Sequence, residues 1–281
     1  MDKEIIYIAG LYHSGSTLLD QYIGSNDSIM GLGEICKFIK DGPAGKCTCG
    51  ANAENCEFWR DFKPLKNISE SGLEKTYSKI IDKASKKNGK FQYILDSSKC
   101  HPYDMKPTYS NFRGLIYYTK YFPNKIRVIH LYRDPRSWVS SIMRREKRSK
   151  RKFIISAIFK SEFMRAIRYF QWFLMNFLIR KFIKENNLRS INISYEKICL
   201  DKKNSLLEIS KFLNLELDEK KLNLKETNSH ICVGNPSRLT NLANPEISYD
   251  ARWLRENFSL VDYIFTKLLK RQINKFVFNK F

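Results

Sequence analysis

Residues 10–17 read Gly-Leu-Tyr-His-Ser-Gly-Ser-Thr, the frame G-x-x-x-x-G-K-[ST] with Ser16 in the lysine position. A loop of this type presents backbone N–H groups at a helix N-terminus to an anion, and its lysine reaches the β- and γ-phosphates. Without the lysine, a nucleotide lacking a γ-phosphate suits the loop better than ATP or GTP. A second set lies in the stretch 126–145, where Arg133 follows an apolar run and Ser141 comes eight residues later. Eight residues span about two helical turns, so both side chains could reach one anion. Each stretch also has a plain structural reading. Gly- and Ser-rich turns join strands to helices in many folds, and Asp134 with Pro135 can simply cap a surface helix.

The elements that must hold these residues alternate along the chain. Apolar strands are predicted at 4–9, 91–95, 126–132 and 189–194, and helices at 16–25, 72–87, 109–121, 135–147, 153–184 and 202–213. Such alternation predicts an α/β protein: a P-loop-type parallel sheet flanked by helices, with ligands outside the strands' C-terminal ends. The motifs fall at those ends. Loop 10–17 follows the first strand, Asp96-Ser97-Ser98-Lys99 the second, Arg133 the third and Tyr195 the fourth.

Together these segments resemble the sulfotransferases that use 3′-phosphoadenosine-5′-phosphosulfate (PAPS). Tyr12-His13-Ser14-Gly15-Ser16-Thr17-Leu18-Leu19 is similar to the family's 5′-phosphosulfate loop, and Arg133 with Ser141 to its 3′-phosphate pair. Ser194-Tyr195-Glu196-Lys197-Ile198 resembles a later Tyr-Glu-Asp-Leu segment, with Phe212-Leu213-Asn214-Leu215 following it. His230 through Arg238 resembles a nucleotide-covering Gly-Asn-x-x-Arg segment, here Gly234, Asn235 and Arg238. The resemblance runs from about residue 4 to residue 240. It implies the sulfotransferase fold in a single domain over 1–281, with a Cys-containing insertion near 41–67 and a helical acceptor-side region near 150–185.

It also implies roles. Ser14, Gly15, Ser16, Thr17, Leu18, Arg133, Ser141, Tyr195, Gly234, Asn235 and Arg238 are the expected donor contacts. Glu34, in Gly31-Leu32-Gly33-Glu34, resembles the catalytic base of the protein-tyrosine branch, and Lys99 resembles that branch's catalytic lysine. His101 is the reserve base, and His130, inside the third strand, reads as a core residue. His13, counted with Glu34 and Lys99 among the catalytic candidates, departs from the family, which usually carries Lys or Arg there. With an ordinary pKa it is partly charged near neutrality, giving pH-sensitive donor binding; the other reading is a neutral hydrogen-bonding loop residue. The implied reaction is sulfuryl transfer from PAPS to a hydroxyl of a carbohydrate, lipid or other small-molecule acceptor, with no metal required. A kinase on a related P-loop fold would need the missing lysine, and a non-catalytic basic scaffold would leave the strand-end motifs unexplained.

Cys36, Cys47, Cys49 and Cys56 surround a Gly-rich insertion, in which Cys-x-Cys-Gly-x5-Cys is not the C-x2-C pair of a zinc ribbon. Similar insertions occur in bacterial sulfotransferases. Structural zinc, a disulfide and packed thiols all stay open, and no metal is assigned.

Fifty Lys+Arg against 29 Asp+Glu give +21 over 281 residues, which favours anionic partners. No nucleic-acid-reading motif is present, so nucleic acid is not expected, and Lys-rich runs such as 83–90 and 144–152 read mostly as solvated faces. Asp2 and Glu4 flank a short apolar run unlike a signal peptide, so a cytoplasmic location is expected. The longest candidate span, Tyr169 to Ile179, has 11 uncharged residues, short of the roughly 20 a membrane helix needs. This aromatic stretch reads as core or a protein contact before a membrane anchor. The basic C-terminal helix from Lys267 could touch an anionic bilayer at its surface.

Overall fold

A computed structural model describes residues 3–42, 45–65, 69–87, 91–99, 113–148, 157–217, 229–235, 239, 247–256 and 258–278. Its centre is a five-stranded sheet in the order β2-β3-β1-β4-β5. The strands are β1 (Glu4–Gly10), β2 (Ile29–Gly31), β3 (Tyr93–Asp96), β4 (Ile126–Tyr132) and β5 (Arg189–Ser194). All pairings are parallel, with Tyr7 opposite Asp96 on one side and Val128 on the other. From Ile5 to Gly10, β1 is an uninterrupted buried run because both sheet faces are covered, the arrangement that removes period-two alternation. From β1 the chain fills one side through β2 and β3, then crosses to β4 and β5. The strand order reverses at β1, the kind of position beyond whose strand ends α/β sheets bind ligands.

The helices are α1 (Ser16–Ile23), α2 (Ile35–Asp41), α3 (Glu70–Lys86), α4 (Arg113–Tyr121), α5 (Pro135–Arg148), α6 (Ala157–Glu185), α7 (Tyr195–Leu200), α8 (Lys202–Leu213) and α9 (Leu260–Leu268). α1 stops two residues before its predicted end, at Gly24, whose N–H donates to Asp20 O. α3 is capped by Ser69, whose Oγ accepts from the Gly72 N–H. The first residues of the predicted helices at 109–121 and 153–184 lie outside the described residues.

One face of the sheet packs Ile6, Ile8 and Leu131 against α1, α7 and α8; the other packs Tyr7, Val128 and Tyr132 against a larger cluster that includes Trp59, Trp138 and Trp172. Each such large side chain contributes roughly 1.5–3 kcal/mol by leaving water. Two of these tryptophans also fix the site. Trp138 Nε1 donates to Tyr12 O at 2.6 Å, and Trp172 Nε1 donates to Arg133 O at 2.9 Å. The aromatic stretch of α6 is thus core along Tyr169, Trp172, Met175 and Ile179, while Phe170 and Phe177 face outward.

Candidate active site

The turn from β1 into α1 is shaped by backbone conformations that few residues accept. His13 has φ 63° and Gly15 φ 91°. A Cβ on Gly15 would stand 2.6 Å from Cδ2 of Tyr195, so the close approach and the left-handed φ both require glycine. Ser16 begins α1, and its Oγ is buried with no hydrogen-bond partner among the described residues. A buried hydroxyl without a partner is costly unless a ligand completes it. With the N–H groups of the helix's first turn beside it, the loop forms a cradle that fits an anion. The Leu18 side chain packs on the sheet core, so what it can offer a ligand is its N–H.

Arg133 reaches this cradle from the end of β4. Its Nη1 donates to His13 O at 2.7 Å, its Nε to Ser137 Oγ at 2.8 Å, and its guanidinium lies 4.5 Å above the Tyr195 ring. Nη2 is 3.4 Å from Asp250 Oδ2. Ser141, from α5, meets the same loop: its Oγ is 2.9 Å from His13 Nδ1. Asp134 caps α5 by accepting from the Arg136 N–H at 2.9 Å. The structure therefore brings Arg133, Ser141 and Tyr195 together around residues 12–17.

His13 is not the partly charged group expected from an ordinary histidine. Burial, then the cations Arg145, Lys99, Arg133 and Arg144, push its pKa down to about 4. Arg145 can only donate to Nε2, which leaves the proton on Nδ1 facing Ser141. His13 thus bridges loop and helix as a neutral group, and the positive charge comes from its neighbours. Two of these, Arg144 and Arg145, belong to a run that reads in sequence as mostly solvated. Arg144 instead turns inward to Glu256 at 2.5 Å and Asp250 at 3.5 Å. Arg252, which hydrogen-bonds the Asp250 carboxyl, and then Arg133 hold that carboxyl well below the usual carboxylate range.

Glu34 precedes α2, directly after Gly33 at φ 71°. Its Oε1 is 2.5 Å from Lys99 Nζ, and the two side chains are only 3% and 11% exposed. A Cβ on Gly234 would lie 3.3 Å from Thr17 Oγ1 and 3.4 Å from Glu34 Oε1, and the Asn235 N–H donates to Thr17 Oγ1 at 3.4 Å. The loop, the Glu34–Lys99 pair and the Gly234-Asn235 segment accordingly meet at one place. Arg238 and His101 lie outside the described residues. His130 is a core residue as read: its Nε2 meets Asn176 Oδ1 at 3.1 Å, and burial pushes its pKa down to about 3.

Sequence reasoning gave no role to two supporting carboxyls, one of them inside the 194–198 motif. Asp20, on α1, accepts from Ser97 Oγ at 2.5 Å, and burial, with Asp96 and Glu34 near it, raises its pKa to about 8. Glu196 accepts from the Asp134 N–H at 3.1 Å, and burial with Asp134 nearby raises its pKa to about 7. Asp20 stands one turn beyond Ser16, on the helix the loop opens, and that position is the signal that could have found it.

The sulfotransferase family profile matches residues 5–219. No curated protein matches the chain by sequence. Among solved structures, the sulfotransferase domain from the curacin biosynthetic pathway is similar at 15% identity and TM-score 0.57, covering 95% of this chain and 98% of that one. The sulfotransferase domain of the Synechococcus PCC 7002 olefin synthase is similar at 17% identity and TM-score 0.54, covering 96% of each chain. At these identities the structural likeness speaks for the fold.

Proposed function

The chain belongs to the sulfotransferase family, and from that premise we propose that it moves a sulfuryl group from PAPS to a hydroxyl of a carbohydrate, lipid or other small-molecule acceptor. The observation that carries this reading is the convergence of Arg133, Ser141 and Lys99 on a loop that lacks its own lysine and holds the orphaned Ser16 hydroxyl. PAPS, when bound, supplies the activated sulfuryl group. The loop N–H groups and hydroxyls of Ser14 to Leu18 hold its 5′-phosphosulfate. Arg133 and Ser141 would hold the 3′-phosphate, with Tyr195 beneath the guanidinium and Gly234 and Asn235 over the nucleotide; Arg238, outside the described residues, is assigned to the same cover from the resemblance alone.

Lys99 stabilises negative charge on the bridging oxygen, and Glu34 takes the acceptor's proton as the hydroxyl oxygen attacks sulfur. For this, Lys99 must divide its contact between Glu34 and the donor. The acceptor side is assigned, on the family resemblance, to the insertion at 41–67 and the helical region at 150–185, of which residues 41–42, 45–65 and 157–185 are described. Peripheral contact with an anionic bilayer belongs to the same proposal, supported by cations beside exposed apolar side chains on α9. The expected compartment is the cytoplasm.

A thermal-shift series with 3′,5′-ADP (PAP), PAPS, ATP and GTP, the last two with Mg²⁺, tests the donor. A ligand at 100 times its Kd stabilises by about 2.7 kcal/mol, so PAP is expected to raise the melting temperature well above ATP at equal concentration. A larger shift with ATP and Mg²⁺ transfers the reading to a kinase.

A further inference from the structure

Residues 46–52 form a tight turn closed by a bridge between Lys46 and Asn52, with the Cys47 N–H donating to Ala51 O and the Gly50 N–H to Cys47 O. Gly50 takes φ 90°, which lets the turn double back. The turn presents Cys47 and Cys49 on one side. Cys56 follows a short 3-10 turn, Ala53–Asn55, and faces them. Across from all three stands His230, 174 residues beyond Cys56. Cys36 takes no part.

The separations are specific. Cys56 Sγ is 3.6 Å from Cys47 Sγ, 3.7 Å from Cys49 Sγ and 3.3 Å from His230 Nδ1. The four ligand atoms lie within 4.8 Å of one another. A disulfide needs sulfurs at about 2.05 Å. A tetrahedral zinc, with Zn–S near 2.3 Å and Zn–N near 2.0–2.1 Å, sets S···S at about 3.8 Å and S···N at about 3.6 Å. Thiols packed for bulk alone have no reason to adopt those edges together with an imidazole nitrogen.

We propose that Cys47, Cys49, Cys56 and His230 Nδ1 form a structural zinc site. Three sulfur ligands and one imidazole select zinc over the oxygen-preferring cations, and four protein ligands leave no open position for catalysis. Metal on Nδ1 places the ring proton on Nε2, so Lys87 Nζ, now 2.8 Å from Nε2, swings off it and its charge balances the net negative site. The His230 backbone is already fixed: its N–H donates to Gly31 O and its O accepts from Trp59 Nε1, while Phe58 stacks on the ring. Thr48, between two of the cysteines, bonds Ser229 O and the Ile231 N–H. Zinc would therefore clamp the insertion to the segment whose Gly234 and Asn235 lie on Thr17 and Glu34. The site goes beyond sulfuryl transfer and stands whether or not PAPS is the donor.

The test reads metal. Full-length protein purified without chelator is expected to carry one zinc per chain by elemental mass spectrometry. After chelation under reductant, Co²⁺ is expected to restore the thiolate-to-cobalt charge-transfer band with one equivalent. Cys49→Ser, at an exposed position, is expected to weaken Co²⁺ binding about 100-fold or more, since loss even of outer-shell partners costs 10–100-fold. Cys199→Ser, in α7, should leave it unchanged. Reduced protein that gains no charge-transfer band, or equal Co²⁺ affinity in Cys49→Ser, overturns the site. So does a native disulfide among the three cysteines with no cobalt uptake after its reduction.

Discussion

Glu34 and Lys99 share a short ion pair in a nearly closed place, so the base and the cation of the proposed reaction already face one another. Glu34→Gln keeps the shape and most hydrogen bonding but removes the basicity. Turnover is expected to fall roughly 10²–10⁴-fold while PAP affinity, measured by calorimetry, stays within a few-fold of the parent. Parent-like turnover would move the base to His101 or dispense with one; loss of PAP binding would make Glu34 an organiser of the loop. Arg133 does two jobs that must be separated, because its Nη1 ties the loop through His13 O while its Nη2 faces Asp250. A charged hydrogen bond contributes about 1.5–3 kcal/mol, so Arg133→Ala is expected to weaken PAP about 10- to 150-fold. An adenosine 5′-phosphate lacking the 3′-phosphate should lose far less. Equal losses for both ligands would leave Arg133 only its scaffolding contact.

At the scale of elements, α1 is tied to the end of β3 through Ser97 and Asp20, and that link has a pH signature. Asp20 holds its proton to about pH 8 in the fold, against about 3.8 in the unfolded chain. A raised pKa means the folded state binds the extra proton. Its contribution is complete below the unfolded value and is lost as pH rises through about 8. Asp20→Asn cannot ionise, so denaturant melts should show the variant gaining stability relative to the parent between about pH 4 and pH 8. A difference that does not change with pH would mean that Asp20 is neutral or charged equally in both states. The same elements show what sequence could and could not reveal. β1 and β4 were legible as apolar runs bounded by turn residues, β3 and β5 as shorter strands within two residues of their observed bounds, and Asp134-Pro135 marked the start of α5. β2 is three residues long, too short for a period to register, and α2 and α7 span little more than a turn or two. The loop, Arg133, Ser141, Glu34 and Lys99 were legible as motifs at strand ends. Asp250 was not, nor was the approach of His230 to Cys56, because these contacts span more than a hundred residues and only the fold sets their distances. His13 could be named but its charge could not, since burial and four cations from other segments decide it.

For the whole molecule, the charge of +21 and the exposed apolar side chains point the same way. No described helix is long and apolar enough to cross a membrane. α9 nevertheless exposes Leu260, Tyr263, Ile264 and Leu268, which share one face at helical spacing, with Lys267, Lys270 and Arg271 beside them. The helix is not loose. Arg165 and Tyr169 of α6 both bond the buried Asp262, so the apolar face is held outward and does not fold back. Each cation near an anionic leaflet contributes about 1 kcal/mol, and each buried methylene about 0.8 kcal/mol. Three cations and a few partly inserted side chains thus suffice for weak, reversible attachment. Sedimentation with vesicles containing anionic lipid is expected to carry the protein down at low salt and to release it as salt shortens the Debye length. Leu260→Ser with Leu268→Ser should weaken binding at every salt concentration, because the lost term is apolar, whereas Lys270→Gln with Arg271→Gln should flatten the salt dependence. Equal binding to uncharged vesicles would assign attachment to the apolar side chains alone, and no binding at low salt would leave the excess charge as a solvated surface.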